Sequence, residues 1–193
     1  MSIEIRELGP ECLEQYAEVS IRFRVESVLR LEEVERGLGG LLLREEPVAE
    51  PYVKDYDEED DEPPARWRKR FDVSNWGFFL AFDGTRPVGG TTAVYRTPNV
   101  WMLDRRDDLA VLWDLRIHPD YRGQGIGRQL FQRVVNWARA RDCRQLKIET
   151  QNTNVRACRF YASMGCHLGA INRYGYQDPR VADEVMLFWY LDL

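Results

Sequence analysis

The stretch best equipped for chemistry is Leu112 to Gly127, LWDLRIHPDYRGQGIG. It reads as a strand ending at His118-Pro119, a turn, and glycines leading into an amphipathic helix. Gly123, Gly125 and Gly127 leave the main chain bare, so their N–H groups and those of the helix's first turn can point at an anion. The helix dipole favours negative charge there, and Arg122 and Arg128 add positive charge. This is chemistry for holding a diphosphate. Two familiar phosphate loops are excluded. No Gly-Lys-Ser/Thr follows the spacer, as the Walker pattern requires, and Gly127 comes one residue too early for the dinucleotide fingerprint GxGxxG.

A second element follows on the helix after the next strand: Asn154-Val-Arg-Ala157-Cys-Arg-Phe160-Tyr161-Ala-Ser-Met-Gly165. At spacings of three and four, Asn154, Ala157 and Tyr161 lie close to one helix face. Arg122-Gly123-Gln124-Gly125-Ile126-Gly127 resembles the R/Q-x-x-G-x-G/A signature of the GNAT acetyltransferase superfamily. The later run resembles that family's N-x-x-A-x-x-x-Y-x-x-x-G element. Two motifs in the right order, separated by helix and strand, are far more specific than either alone. The superfamily resemblance covers about residues 76–192. Glu149-Thr150-Gln151, the ACRFY run, Phe188-Trp189-Tyr190-Leu191 and the patch from Glu50-Pro51-Tyr52 to Asp60 are similar to streptothricin acetyltransferases. Two departures stand out: Trp113 where many relatives carry a glutamate before the aspartate, and Cys166 where Gly-Phe is usual.

The resemblance implies acetyl transfer from the thioester of acetyl-CoA to an amine, with no metal. It implies that Arg122, Gly123, Gln124, Gly125, Ile126, Gly127 and Arg128 hold the pyrophosphate. Leu115, Arg116 and Ile117 at the strand end pair along the pantetheine, and the same region can supply an N–H facing the oxyanion. Asn154, Ala157 and Phe160 face the coenzyme arm, although Asn154 is also a natural helix N-cap. Tyr161 is placed near the coenzyme sulfur, where a phenol can protonate the departing thiolate.

A primary alkylamine with a pKa near 10.4 is only about 0.1% neutral near pH 7.4, roughly 4 kcal/mol from its nucleophilic form. A base is therefore needed, or an amine of lower pKa. Asp114, in an otherwise apolar run, and Glu149, of opposite parity to Ile148, are the candidates, and a water chain to bulk could replace both. His118 lies on the way into the phosphate turn, which disfavours a catalytic role.

These residues need a scaffold, and the pattern supplies one. Ile3 to Leu8 alternates as a strand, and Glu11 to Val19 suits a short helix. Period-two alternation from Ile21 through Leu31 argues for a strand, with a turn at Gly37, Gly39 and Gly40 and a return beginning at Leu41–Leu43; a helix is the competing reading. Ala65 to Phe71 suits a short basic helix. Trp76 to Phe82 and Pro87 to Tyr95 form a hairpin with Asp83-Gly84 supplying the turn. Strands follow at about Leu109 to Ile117, at Gln145 to Thr150, near Cys166–Tyr174 and near Glu184–Leu191. Helices span roughly Gly125 to Arg141 and Asn154 to Met164, the latter stopped by Gly165. The class is α/β. The resemblance makes it a GNAT-like mixed, mostly antiparallel sheet of six or seven strands, flanked by helices and splayed between its two central strands. The expected organisation is one domain over 1–193. About 1–105 forms the acceptor side, with an acidic insertion at 50–64, and about 106–193 binds acetyl-CoA.

The acidic run Asp55 to Glu62, closed by Pro63 and Pro64, reads either as a solvated, self-repelling loop or as a landing site for a cationic substrate. Tyr52, Tyr56, Trp67 and Trp76 could line that site by cation–π contact or could be ordinary core aromatics. The run lacks the glycine and spacing of an EF-hand. Cys12, Cys143, Cys158 and Cys166 form no CxxC pair, and with only two histidines a zinc site is not expected.

The chain has 193 residues, 44% hydrophobic and 31% charged, enough for a real core. A net charge of -5 argues against a nucleic-acid partner, and no apolar run is long enough for a membrane helix. Scattered thiols behind a charged N-terminus fit the cytoplasm. The expected partner is a small cationic amine, a streptothricin-like antibiotic first; a homodimer is left open. The competing readings are a protein or peptide N-acetyltransferase and a non-catalytic CoA-binding sensor.

Overall fold

The hairpin of β4 (Trp76–Asp83) and β5 (Arg86–Tyr95) forms where expected, but its two turn residues are Gly84 and Thr85, because Asp83 pairs with Arg86. Gly84 has φ +62 and Thr85 is not left-handed, which is a turn with glycine at its first central position. The computed structural model describes residues 3–59 and 63–193. Its remaining strands are β1 (Ile3–Leu8), β2 (Phe23–Val34), β3 (Gly40–Lys54), β6 (Leu109–Ile117), β7 (Gln145–Gln151), β8 (His167–Asn172) and β9 (Met186–Asp192). The helices are α1 (Leu13–Ala17), α2 (Tyr56–Glu59), α3 (Trp67–Arg70), α4 (Ile126–Arg139) and α5 (Val155–Ser163). Seven strands form one mostly antiparallel sheet in the order β1-β4-β5-β6-β7-β9-β8, with β6 and β7 parallel; β2 and β3 form a separate two-stranded sheet. The mixed α/β sheet read from sequence is therefore present, with seven strands.

The chain divides into two compact units. One comprises Met1–Arg22, Asp55–Ile148 and Leu191–Leu193; the other comprises Phe23–Lys54 and Glu149–Tyr190. In the first, α1 and α3 cover one sheet face with an aromatic core: Tyr16, Trp67, Phe71, Trp76 and Phe78, joined by Trp113. Trp67 and Trp76 lie 5.9 Å apart, centre to centre, and both are buried. They belong to the core, the second of the two roles read from sequence; removing such a ring from a core costs about 3–5 kcal/mol. On the other face α4 buries Leu130, Phe131, Val134 and Trp137. Gly77 lets it close on the sheet, since a Cβ there would stand 2.7 Å from the Trp137 indole.

In the second unit, β2 and β3 are strands, so the helical reading of that stretch is wrong. β3 runs far beyond Leu41–Leu43, to Lys54. Val25 pairs with Tyr52 but Ser27 pairs with Pro47, so residues 48–51 bulge out of register. Pro47 and Pro51 have no N–H to give to a ladder, which accounts for the break. The acidic insertion is correspondingly shorter than 50–64: Glu50 to Lys54 belong to β3, and α2 follows. Asp60, Asp61 and Glu62 lie outside the described residues. No helix among the described residues is long and apolar enough to cross a membrane.

All four cysteines are free and buried. Burial pushes the Cys12, Cys158 and Cys166 thiols up to about 11 and raises Cys143 as well. The thiolate is the reactive species, so at pH 8 on the order of 0.1% of such a thiol is available. A disulfide reagent at pH 8 should label none of the four in the folded protein within minutes and all four after denaturation. Rapid labelling of folded protein would contradict this burial.

Candidate functional site

β6 changes partners along its length. Leu109 to Leu112 pair with β7, from Leu109↔Gln145 to Leu112↔Ile148, and there the β7 pairing ends. The β5 pairing runs on to Gly89↔Ile117. The His118 N–H donates to Val88 O at 2.9 Å. Bonded pairs alternate in an antiparallel ladder, so Arg116 turns its main chain toward Gly90, while Leu115 and Ile117 turn theirs to the side that β7 has left. Ile117 O accepts there from Arg122 Nε at 3.0 Å. Among the described residues the Leu115 N–H and C=O and the Ile117 N–H have no strand partner on this side, and this open edge has the spacing that an extended amide chain would pair with. Of the three strand-end residues named from sequence, Leu115 and Ile117 thus turn main-chain groups to this side, and Arg116 turns its own toward Gly90.

A β-bulge decides what the side chains do. Thr92 pairs with Asp114 but Ala93 pairs with Leu112, leaving Trp113 as the extra residue. Trp113 joins the aromatic core, 5.4 Å from Phe71 and 5.5 Å from Trp76. The bulge reverses the alternation, so Asp114 and Arg116 also face α1, where Tyr16 packs. Gly90 permits this, since a Cβ there would meet the Tyr16 ring at 2.6 Å.

Asp114 Oδ1 accepts from Tyr16 Oη at 2.5 Å and from Arg116 Nε at 2.9 Å, and Oδ2 accepts from Arg116 Nη2 at 2.8 Å. Arg116 Nη1 and Nη2 donate to Asp57 Oδ2 and Oδ1 at 2.8 and 3.0 Å, and Nη1 also reaches Val19 O at 3.2 Å. All five guanidinium N–H donors are thus used, and the side chain is 1% exposed. Burial works against the charged guanidinium, but the charge and hydrogen bonds of Asp114, with Tyr16 and Asp57, outweigh it and hold Arg116 protonated. Burial first, and then the Asp114 charge, push the Tyr16 phenol well above its ordinary range. Neither Tyr16 nor Asp57 was singled out from sequence. Tyr16 is 98 residues from Asp114, and no local pattern announces such a partner.

Beyond β6, Pro119–Tyr121 forms a single turn with His118 at its start. His118 Nδ1 accepts from the Asp120 N–H at 3.3 Å, and Nε2 lies 3.0 Å from Arg86 Nη2, so both ring nitrogens are engaged in the turn. Gln124 Nε2 braces the turn by donating to Asp120 O at 3.1 Å. Gly123 and Gly125 have φ +78 and +82, a region that disfavours side chains, and nothing lies within 4 Å of where their Cβ atoms would be. Gly125 begins α4 with no side-chain cap, and the first helical bond is Gln129 N–H to Gly125 O. The N–H groups of Ile126, Gly127 and Arg128 therefore have no intrahelical partner. Together with the half-positive charge of the helix start, this bare concavity fits a phosphate pair.

In the other unit, Asn154 caps α5, its Oδ1 accepting from the Ala157 N–H at 3.1 Å. Ala157 and Phe160 are half-buried, and Tyr161 is buried with its ring 5.2 Å edge-on from Phe160. Gly165 ends the helix at φ +88. Glu149 on β7 is half-buried and accepts a hydrogen bond from Tyr176 Oη, a partner that no sequence signal indicated. Among the described residues no cluster of His, Cys, Asp or Glu could hold a metal ion.

Residues 41–166 match the model of the acetyltransferase (GNAT) family. The streptothricin acetyltransferase of Escherichia coli is 30% identical over 141 residues, 72% of this chain and 70% of that protein. The ribosomal protein bS18-alanine N-acetyltransferase of Escherichia coli (strain K12) is 29% identical over 111 residues, 57% of this chain and 70% of that protein. A Bacillus anthracis str. Ames structure in complex with acetyl coenzyme A is 26% identical with a TM-score of 0.76, covering 100% of both chains.

Proposed function

The chain belongs to the GNAT acetyltransferase family and is an acetyl-CoA-dependent N-acetyltransferase, and from that premise we propose that its acceptor is a primary amine of a small cationic molecule of the streptothricin class. The observation that carries this reading is the extent of the likeness. The match to a streptothricin acetyltransferase, at 30% identity, extends over 72% of the chain, against 57% at 29% identity for the ribosomal-protein enzyme.

In this reading the N–H groups at the start of α4, with Arg122 and Arg128, hold the diphosphate. The Leu115 and Ile117 main chain pairs with the pantetheine amides, and a neighbouring N–H polarises the thioester carbonyl as charge develops on its oxygen. The amine must shed a proton before it attacks. Glu149 is the base of this proposal, directly or through water, with its carboxylate oriented by Tyr176. Asp114 is a positioning group, because reaching an amine would mean releasing three accepted hydrogen bonds. Nitrogen attack on the thioester carbon forms the zwitterionic tetrahedral species; the C–S bond then breaks, Tyr161 gives its proton to the thiolate, and the second proton on the nitrogen returns to the tyrosinate, directly or through water, leaving the amide.

Acetyl-CoA consumption measured with streptothricin, simple diamines and N-terminal alanine peptides tests the acceptor class. Turnover with streptothricin but not peptides supports the proposal. The reverse favours a protein acceptor, and tight CoA binding with no turnover of any amine favours a sensor. Tyr161→Phe should lower kcat by about tenfold or more while leaving the acetyl-CoA Kd unchanged. Unaltered turnover in that variant removes the hydroxyl from the mechanism.

A further inference from the structure

The described part of the acidic run, residues 55–59, is not a free loop. Two routes fasten it to the open edge of β6. In the first, Asp57 on α2 grips both terminal nitrogens of Arg116, which grips Asp114 with its other side. In the second, Arg22 holds Asp55 and Glu58, while its own carbonyl accepts from Arg122 Nη2. Arg122 in turn donates to Ile117 O, on the open edge itself. So α2, the strand edge and the phosphate turn share one chain of hydrogen bonds.

The two routes differ in strength. In the second, Arg22 is 55% exposed, and its partners Asp55 and Glu58 are 12% and 70% exposed; pairs made by so exposed a guanidinium contribute little. Arg116 is buried and Asp57 is 25% exposed. Their two parallel bonds fix both direction and rotation, as a fork on a carboxylate does. A helix of four residues has no stability of its own, so its placement depends on its anchors. An apolar contact would hold α2 as firmly but would not orient it.

We propose that Asp57 is a positioning residue for acetyl transfer: acting through Arg116, it seats α2 against the strand whose free edge receives the thioester arm, and thereby builds the acceptor side of the site. This rests on the acetyl-transfer reading above. Asp57 need not touch the amine, since its effect comes from where it holds the segment.

The test measures kinetics, coenzyme affinity and amide hydrogen exchange on the full chain. Asp57→Asn keeps shape and removes the charge. It should raise the KM for the best amine at least tenfold, leave the acetyl-CoA Kd within threefold, and accelerate exchange across residues 55–59. Arg116→Lys, which loses the fork, should do the same and serves if Asp57→Asn does not fold. The double variant should be no worse than the poorer single, because both break one link. Glu58→Gln, on the exposed route, should change KM less than threefold. An amine KM within twofold of wild type in Asp57→Asn, or fully additive losses, or equal weakening of coenzyme and amine, overturns the proposal. A wild type that acetylates no amine defeats the functional reading instead, and the exchange result then judges the clamp alone: unaltered exchange across 55–59 overturns it.

Discussion

Gly125→Asp should abolish coenzyme binding, raising the acetyl-CoA Kd by a factor of about 1,000 or more in calorimetry. Gly125 sits at φ +82 with open space beside it and three uncommitted N–H groups ahead of it. An aspartate there would turn its own carboxylate onto those groups, as side chains at helix starts do. The new charge would take the phosphates' hydrogen bonds and repel them as well. The fold should survive, because the added atoms meet nothing and a left-handed aspartate costs only about 1 kcal/mol. Loss of affinity without loss of structure would therefore locate the diphosphate at this turn. Wild-type affinity in a folded Gly125→Asp protein would refute the phosphate assignment and every role derived from it.

The second large effect concerns stability. Arg116→Ala should destabilise the protein by about 3–5 kcal/mol, since it leaves two carboxylates facing each other in a buried space. At about 2–4 °C per kcal/mol for a chain of this size, the melting temperature should fall by about 6–20 °C. Replacing the carboxylates together with the arginine (Asp57→Asn and Asp114→Asn added to Arg116→Met) should recover most of the loss, because no uncompensated charge remains. A drop of only a degree or two in Arg116→Ala would mean that the network is solvated and contributes no order to α2. The comparison matters for the site as well as the fold, because Arg116 lies between the two residues whose main chain forms the open edge.

The features legible in the sequence are those written within a few residues of one another. Gly123 and Gly125 ahead of an amphipathic helix, with Gly127 in its first turn, specify a bare, positively polarised turn, because each property depends only on local φ, spacing and the missing side chains. Asn154 followed three residues later by Ala157, and Gly165 after the last helical turn, specify the two ends of α5 for the same reason. The order of strands and helices from Leu109 onward follows from periodicity alone. The long arm of β2 and β3 was only half legible, since Pro47 and Pro51 interrupt the alternation that would mark β3 as one strand.

Other features had no local signature. Parity read from sequence assumes an unbroken strand, and the single extra residue at Trp113 turns Asp114 and Arg116 to the α1 face. Trp113 looked like a departure from a catalytic position; in the fold it is the bulge that makes the network. Asp114 looked like a candidate base, and the structure surrounds it with Tyr16 and Arg116. Asp57 looked like one charge in a repelling run, and it holds a buried guanidinium drawn from 59 residues away. Sequence by itself determined where the main chain is bare at a helix start and which helix carries the tyrosine, because dihedral preference and periodicity act over one or two turns. Which carboxylates are free and which are committed was decided only by the tertiary structure, because a charge's partners are set by packing between segments that the chain brings together from far apart.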